Sequence, residues 1–284
     1  MDVLSDVSET ALITLRARAI ETKKEEPLIR DDAGVELLGR IEPLLPADVR
    51  QRVMDRKLSP VLTRYIALRA RKYDSYARSF IEENADGLVV SLGCGFDTRY
   101  WRVSEEPWNY VEIDLPEVIA AKKRVLADAE PQPMGPYPMI GCSVLEETWV
   151  EEIRSMQEKD VLFLAEGLFM YLPKPEVVRI FDRLSESFSR SHIVFEVVNE
   201  RYTKGIWKKV VESKMRRSGG TEAGSSYQFG VRDAKDVEAY GKHIKVVEEW
   251  SYYEEKDLRP RVLALFRNFK LMSRTQWTVK ATIG

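Results

Sequence analysis

Two glycines one residue apart, and an acid about 20 residues after them, are the residues whose spacing most directly indicates chemistry in this chain. Gly93 and Gly95 follow an apolar run at 88–92, which is typical of a buried parallel strand. Asp114 ends a second run of strand type at 108–114. In nucleotide-binding α/β units such glycines let the backbone approach the ligand, and the acid accepts hydrogen bonds from ribose hydroxyls. The pattern predicts a ribose-containing ligand; the alternative is a tight strand–helix turn that binds nothing.

The residues around the glycines also limit the kind of nucleotide. A dinucleotide-binding loop has a third glycine three residues after the second, and Thr98 occupies that position. The phosphate-loop pattern Gly-x-x-x-x-Gly-Lys-Ser/Thr does not occur in the sequence. S-adenosylmethionine carries ribose and adenine but no phosphate, so it is the cofactor that the pattern favours. A nicotinamide-dependent oxidoreductase is the alternative from another enzyme class.

These residues need strands and helices to bring them together. Apolar runs predict strands at 88–92, 108–114, 139–142, 160–165, 193–198, 244–250 and 276–283. Apolar residues at helical spacing predict helices at 8–24, 46–83, 96–103, 116–129, 146–157, 175–188, 201–217 and 233–241, with a helical segment at 261–269. The Gly- and Ser-rich stretch 218–226 predicts a loop. Beside the basic helix 201–217, this loop suggests a lid over a crevice at the strand ends.

Three stretches of the chain resemble the leucine carboxyl methyltransferase family. They are Ser91-Leu92-Gly93-Cys94-Gly95-Phe96-Asp97-Thr98-Arg99, Val111-Glu112-Ile113-Asp114-Leu115-Pro116-Glu117-Val118 and Ala165-Glu166-Gly167-Leu168-Phe169-Met170-Tyr171-Leu172. The N-terminal segments 10–12 and 16–21 are similar to a bacterial branch of that family, which includes a polyketide carboxyl O-methyltransferase. The resemblance spans nearly the whole chain, and its three central motifs are specific in combination.

The fold class that we predict is α/β. The resemblance implies a Rossmann-like S-adenosylmethionine-dependent methyltransferase fold, whose seven-stranded, mostly parallel sheet carries an N-terminal helical cap and an inserted lid. We expect a single domain over 1–284. Its predicted parts are the cap at 1–86, the cofactor-binding core at 87–200, the lid insertion at 201–232, and a C-terminal helix and strands at 233–284.

The predicted cofactor contacts lie after the first four strands. Those after the first two are Gly93, Cys94, Gly95, Asp114 and Leu115. The resemblance implies adenine contacts after the third strand, at Cys142, Ser143 and Val144. Glu166 ends the fourth strand beside the point where the chain reverses, which is where open α/β sheets bind ligands. Glu166 is therefore predicted to bind the ammonium group of the cofactor, with Gly167 next to it; the alternative is a solvated acid at a strand end.

Arginine suits the carboxylate of the cofactor because its planar fork binds a carboxylate through two parallel hydrogen bonds. The resemblance implies this role for Arg18 and for one arginine of the helix before the first strand. Arg69 and Arg71 are two residues apart, so they lie on different faces of that helix and at most one points into a given site. The resemblance favours Arg71, or failing that Arg69, over a surface arginine.

The shortage of candidate bases bears on the methyl acceptor. A carboxylate has a pKa near 4, so it is ionised without a general base and the enzyme mainly has to position it. The chain has only two histidines, His192 and His243, which we interpret as structural or solvated. No catalytic residue is assigned, and Tyr171 and Arg201 are candidates for positioning the acceptor.

An anionic acceptor also needs a cationic side chain to bind it and residues to line its pocket. Candidate anchors after the fifth strand are Arg201, Lys204, Lys208 and Lys209, for which a solvated helix face is the alternative. Candidate aromatic walls are Phe169, Tyr171, Tyr202 and Trp207, for which core packing is the alternative.

Composition excludes several classes of protein. The 284 residues include 44 Lys and Arg against 46 Asp and Glu, so no basic footprint indicates nucleic-acid binding. No apolar run is long enough to span a bilayer, and the N-terminus lacks the features of a signal peptide, so we expect a cytoplasmic protein. The two cysteines, Cys94 and Cys142, with two histidines make no metal constellation. The sequence does not indicate the oligomeric state.

The function that we predict is S-adenosylmethionine-dependent methylation of a carboxylate, on a small organic or polyketide-like acid as partner. Three alternatives are open: methylation of the C-terminal carboxylate of a protein, a nicotinamide-dependent oxidoreductase, and a protein that binds S-adenosylmethionine without catalysis.

Overall fold

The computed structural model describes residues 9–127, 137–157, 160–210, 213, 226–260, 262, 265 and 273–284. Within these residues seven strands form one sheet in the order β3-β2-β1-β4-β5-β7-β6. The strands are β1 Leu88–Leu92, β2 Tyr110–Asp114, β3 Met139–Gly141, β4 Val161–Ala165, β5 Ser191–Val198, β6 Lys245–Trp250 and β7 Gln276–Ile283. Strands β1 to β5 are parallel, and β7 runs antiparallel to both β5 and β6. The predicted seven-stranded, mostly parallel sheet is confirmed.

The central strands are apolar because both of their faces are covered. Every residue of β1 and β4 is buried. Alternate residues of β1 enter different hydrophobic clusters: Val90 packs with the cluster that holds Trp149 and Phe163, whereas Val89 packs with the tyrosines of the other face. The chain order reverses between β1 and β4, and in open α/β sheets the ligand crevice lies at the carboxyl ends of the strands at such a switch point.

Besides a short α-helical stretch at 205–210, eight α-helices lie mostly around the sheet in the described residues. They are α1 Glu9–Thr22, α2 Asp32–Ile41, α3 Ala47–Val53, α4 Pro60–Glu83, α5 Arg99–Val103, α6 Pro116–Ala127, α7 Thr148–Met156 and α8 Lys174–Ser187. Helices α1 to α3 share a separate cluster with Phe96 and with α6, so they cover the loop that follows β1.

The structure corrects the predicted helices in the N-terminal region. Helix α2 was not predicted, although Asp31 caps it by accepting a hydrogen bond from the Gly34 N–H at 3.0 Å. The predicted helix at 46–83 is two helices, because the chain is extended at Ser59 and Pro60 then begins α4. Helix α5 begins at Arg99, three residues later than predicted, because its N-cap Thr98 has a non-helical φ angle of −126°.

The structure also corrects the C-terminal helices. The predicted helix at 233–241 is a 3₁₀ helix, Ala234–Ala239. The predicted helix at 201–217 is a 3₁₀ helix, Glu200–Thr203, followed by an α-helical stretch at 205–210. Four predicted stretches lie partly outside the described residues. They are 211–212 and 214–217 of this helix, 218–225 of the predicted loop, most of the segment 261–269, and the last two residues of the helix at 116–129.

Candidate active site

The loop after β1 approaches its neighbours so closely that two of its residues must be glycine. Gly93 and Gly95 have φ angles of 65° and 51°, which side chains rarely adopt. A Cβ on Gly93 would lie 2.9 Å from Leu168 Cδ1, and one on Gly95 would lie 3.0 Å from Ala11 Cβ of α1. Cys94 between them is buried, and burial raises the pKa of its thiol well above the usual value. The backbone here is a cradle between the end of β4 and the N-terminal helices.

Asp114 and the glycine loop are in direct contact. The Gly95 N–H donates to Asp114 Oδ2 at 2.6 Å, and the Leu115 N–H donates to Oδ1 at 2.8 Å. Burial raises the pKa of this half-buried carboxyl, against the two N–H groups that lower it. Leu115 leaves 44% of its surface exposed beside the carboxylate. The two sequence signals, 19 residues apart, therefore meet in one place.

The residues predicted for adenine lie at the next strand end. The Cys142 N–H donates to the Asp114 carbonyl at 2.9 Å, which joins β3 to β2. Cys142 and Val144 are buried, and Ser143 is half-buried. The Ser143 N–H donates to Glu146 Oε1 at 3.0 Å, so the turn before α7 is fixed. These residues continue the edge that Gly95 and Asp114 begin.

Glu166 follows β4 and is held by two arginines. Arg69 Nε donates to Glu166 Oε1 at 2.9 Å, and Arg99 Nη2 donates to Oε2. Burial would raise the pKa of Glu166, but the charges of Arg69 and Arg99 outweigh it and hold that pKa below the usual value. Gly167 has a φ angle of 68°, and a Cβ there would lie 3.1 Å from Arg69 Nη1. Glu166 and Gly167 thus form the β4 side of the crevice.

The structure places Arg69, not Arg71, at this edge, which corrects the preference for Arg71. Arg71 donates through Nη2 to Glu255 Oε2 and to Asp257 Oδ2, both at 2.8 Å. Residues two apart on an α-helix are separated by about 200° around its axis, so Arg71 faces the C-terminal segment when Arg69 faces the crevice.

Arg18 lies beside the glycine loop, where the resemblance implied it, but its partners are groups of the protein. Its Nε donates to Asp31 Oδ2 at 2.7 Å, and its Nη2 donates to the Phe96 carbonyl at 2.9 Å. The guanidinium is also 3.7 Å from Asp97 Oδ1. Arg18 therefore joins α1 to the loop after β1.

A buried network of charges beneath the crevice was missed by the sequence reasoning. Arg99 is fully buried and pairs with Asp74 at 2.9 Å, with Asp97 at 2.7 Å and with Glu166. Arg102 pairs with Asp74 at 2.7 Å and with Asp97 at 2.9 Å. Burial would raise the pKa of Asp97, but Arg102, Arg99 and Arg18 hold it well below the usual value. The only sequence signal was the Asp97-Thr98-Arg99 motif, to which no role was assigned.

The segments after β4 and β5, where the sequence led us to expect the methyl acceptor, contact each other. The Tyr171 and Tyr227 rings are 5.8 Å apart, and burial raises the pKa of both phenols. The Gln228 N–H donates to the Met170 carbonyl at 2.8 Å, and its side-chain amide donates to the Tyr171 carbonyl at 2.8 Å. The C-terminal part of the predicted lid insertion is thus fixed to the 3₁₀ helix Phe169–Tyr171 that follows β4.

Of the four candidate cations, Arg201 is the one that the structure ties to a strand end while its side chain stays half-buried. Its Nε donates to Asn199 Oδ1 at 2.9 Å, and its guanidinium lies 5.8 Å from the Tyr202 ring. Lys204 is exposed and pairs with Glu200 at 2.5 Å. Lys208 is half-buried and Lys209 is exposed on the stretch 205–210.

The aromatic residues predicted to line the acceptor pocket differ in burial. Phe169 is fully buried and packs against Phe181 and Phe195, so its prediction as a pocket wall is wrong and the core alternative is right. Tyr171 and Tyr202 are half-buried. Trp207 is 56% exposed, with its ring 6.4 Å from that of Tyr202.

The profile of the family described as leucine carboxyl methyltransferase matches residues 11–185, which is more than half of the chain. The chain belongs to this family. The tetracenomycin polyketide synthesis O-methyltransferase TcmP of Streptomyces glaucescens is 26% identical over 90% of this chain and 88% of its own length. The S-adenosyl-L-methionine-dependent methyltransferase dpfgK of Gibberella zeae is 28% identical over 68% of this chain and 65% of its own length.

A crystal structure from Thermobifida fusca, assigned as a methyltransferase, covers 94% of this chain and 94% of its own, with a TM-score of 0.53 at 14% identity. This likeness supports the fold. As a member of the leucine carboxyl methyltransferase family, the chain is a methyltransferase that depends on S-adenosylmethionine. The glycine cradle and the Asp114 carboxylate fit that cofactor, because they offer close backbone and a ribose acceptor without a phosphate site.

The histidines of this methyltransferase lie away from the crevice. His192 is at the amino end of β5, edge-on to Phe80 at 6.2 Å, and burial lowers its pKa. His243 is exposed, with a φ angle of 64°. In the part of the chain that the structure describes, no group of His, Cys, Asp and Glu side chains could hold a metal ion. None of the described helices is long and apolar enough to cross a membrane.

Proposed function

We propose that this methyltransferase transfers the methyl group to a carboxylate of a small organic acid, with a polyketide-like acid as the first candidate, in the cytoplasm. The observation that carries the proposal is the half-buried Arg201 just after β5, whose guanidinium is oriented by Asn199 and lies 5.8 Å from the Tyr202 ring. The relative named for tetracenomycin polyketide O-methylation supports the acceptor class.

A carboxylate acceptor fits the groups found at this edge. Glu166 is held between Arg69 and Arg99, and the lowered pKa of its carboxyl makes it a poor proton acceptor. Tyr171 and Tyr227 have raised pKa values, so their hydroxyls stay protonated at neutral pH and can donate hydrogen bonds but not remove protons. An ionised carboxylate needs no proton removed, whereas a phenol or alcohol needs a positioned base.

The bound cofactor supplies an activated methyl group on a sulfonium, and the residues of the chain orient it. We assign the ribose to Asp114 with Gly93 and Gly95, and the adenine to the turn at 142–144 beside Leu115. The methionine carboxylate and ammonium groups are assigned to the crevice between Arg18, Arg69 and Glu166, where positive and negative groups alternate. Arg201 would bind the acceptor carboxylate through its fork, so that nucleophile and methyl group are in line.

The test is the chemistry of the product. The protein is incubated with methyl-labelled S-adenosylmethionine and a panel of aromatic and polyketide-like acids, the matching phenols, and a peptide that ends in a leucine carboxylate. We expect label in an ester of a small acid, which mild alkali cleaves to methanol. An alkali-stable methyl ether would contradict carboxyl methylation, and an ester formed on the peptide alone would contradict the small-molecule acceptor.

A further inference from the structure

Glu196 is a buried carboxylate that the proposed methyl transfer does not use. It lies near the carboxyl end of β5, opposite Thr278 of β7, and it is fully buried within the apolar run that begins at Ile193. A charge buried in this way is costly unless hydrogen-bonded partners surround it. Its partners lie on the crevice side and on the C-terminal side of β5, and they indicate what the carboxylate does.

Three donors satisfy the two oxygens of Glu196. Oε2 accepts from Arg69 Nη1 at 3.0 Å. Oε1 accepts from the Tyr252 hydroxyl at 2.5 Å and from Gln276 Nε2 at 3.0 Å. Burial and the Glu196 charge raise the pKa of Tyr252 well above its usual value, so this hydroxyl remains a donor. The set is a chain of contacts from the C-terminal segment to Arg69.

The guanidinium of Arg69 is held by carboxylates from two different strands. Glu166, after β4, accepts from Nε at 2.9 Å, and Glu196, in β5, accepts from Nη1. The remaining nitrogen, Nη2, has no hydrogen-bond partner within the described residues. Two anchors fix the plane of the fork, and a fork already fixed loses less side-chain freedom when a ligand binds.

Tyr252 is itself rigidly placed. The 3₁₀ helix Tyr252–Glu254 begins with a capping box, in which the Ser251 N–H donates to Glu254 Oε1 at 2.9 Å. Its ring packs edge-on against Tyr65, with centroids 5.0 Å apart, one helical turn before Arg69 on α4. Glu196, Tyr252 and Gln276 all lie outside the residues 11–185 that the family profile matches.

We propose that Glu196 and Tyr252 are positioning residues for Arg69, and that through it the C-terminal segment sets the affinity for the amino-acid part of the cofactor. Tyr252 fixes Glu196, and Glu196 fixes the guanidinium plane. The inference rests on the proposed assignment of Arg69 to the methionine carboxylate. It does not depend on the acceptor, so its test uses binding alone.

The experiment compares two ligands by calorimetry on the full chain without acceptor. S-adenosylhomocysteine carries the amino-acid group, and 5′-methylthioadenosine lacks it. Tyr252→Phe keeps the ring and removes only the hydroxyl; we expect Kd for S-adenosylhomocysteine to rise about fivefold to tenfold, and Kd for methylthioadenosine to stay within about twofold. Glu196→Gln should raise Kd for S-adenosylhomocysteine by about thirtyfold, again selectively, because a neutral amide replaces the carboxylate that accepts the hydrogen bond of Arg69.

Tyr76→Phe is the matched control. It removes the 2.8 Å hydrogen bond from the Tyr76 hydroxyl to the Glu248 carboxylate, and Tyr76 lies on α4, the helix that carries Arg69. This variant should bind both ligands as the parent does. Equal weakening of both ligands by Tyr252→Phe, or no weakening of either, would overturn the inference.

Arg69→Lys separates the two levels of the proposal. A selective loss of S-adenosylhomocysteine binding in Arg69→Lys, without one in Tyr252→Phe, keeps the assignment of Arg69 and overturns the positioning role. No selective loss in Arg69→Lys overturns the assignment of Arg69 itself.

Discussion

The two halves of the crevice are built differently. The half to which we assign the cofactor consists of the ends of β1 to β3 and Glu166 after β4, with α1 and α5, and a buried network of arginines and carboxylates fixes its loops. The half to which we assign the acceptor consists of the segments after Glu166 and after β5. There the Arg201 guanidinium and the exposed Trp207 both lie against the Tyr202 ring. A rigid network suits a ligand of constant shape. A surface with few side-chain hydrogen bonds can accommodate acceptors of different shape.

The strongest way to test this contrast is to break the network at Arg99. Arg99→Gln leaves three carboxylates short of a buried partner, so it should lower the free energy of unfolding by about 3–5 kcal/mol. Arg179→Gln, which breaks an exposed pair with Glu176, should cost less than about 0.5 kcal/mol. Urea denaturation measures both changes. Equal decreases in the free energy of unfolding would show that the buried network stabilises the fold no more than an exposed ion pair does.

The proposed ribose contact of Asp114 should give the next largest effect. Asp114→Ala should weaken S-adenosylmethionine binding by roughly a hundredfold, since hydrogen bonds to charged groups contribute about 1.5–3 kcal/mol each. Glu117→Ala, which removes an exposed acid at the start of α6, should leave Kd unchanged. Calorimetry and a melting curve together distinguish lost binding from lost fold. An unchanged Kd for Asp114→Ala would mean that the carboxylate does not bind the ribose.

Acid should weaken the cofactor half in a predictable window. The folded-state pKa values of Asp31, Asp97 and Glu166 lie below their usual values. The unfolded chain therefore takes up these protons first, so the stabilisation is present above about pH 5 and is lost as pH falls through about 4 and below. We expect a loss on the order of 2 kcal/mol between pH 5 and pH 3. Arg99→Gln should lose less free energy of unfolding over the same pH range. A larger loss would contradict the pairing of Arg99 with Asp97 and Glu166.

Arg201 tests the acceptor half. Arg201→Gln should raise KM for the acid about tenfold, because a charged fork is replaced by a neutral amide, while Kd for S-adenosylmethionine stays the same. Lys204→Gln is the matched control, since Lys204 is exposed and pairs with Glu200. Steady-state kinetics at saturating cofactor provide the measurement. A larger effect for Lys204→Gln would move the anchor to that residue.

The same contrast explains what the sequence could predict. The Gly93 and Asp114 signals are local, because each is a strand followed by a residue of a required type, and they meet once the parallel sheet forms. The Arg99 network joins residues 25 and 67 positions apart, and no local pattern encodes such pairs. Glu196 left a weak signal, as a lone acid inside an apolar strand.

Helical phase accounts for the error at Arg71. Sequence shows that Arg69 and Arg71 face different directions, but only the packing of α4 on the sheet decides which of them faces the crevice. In α2, the Asp31 cap and the apolar Leu37 and Ile41 were signals that could have predicted the helix. The acceptor half has no motif of this kind, and residues 211–212 and 214–225 of the predicted lid lie outside the described residues.

The most direct test of a base-free transfer to a carboxylate is the pH profile of the methyl-transfer step, measured in single turnover. A carboxylate acceptor is ionised throughout, so the rate should be nearly flat from about pH 5 to pH 8. His192→Ala and His243→Ala should each stay within about tenfold of the parent, below the 10²–10⁴ that is usual for removing a general base. A rate that falls with a single protonation in that window, or that collapses in either histidine variant, would contradict carboxylate methylation.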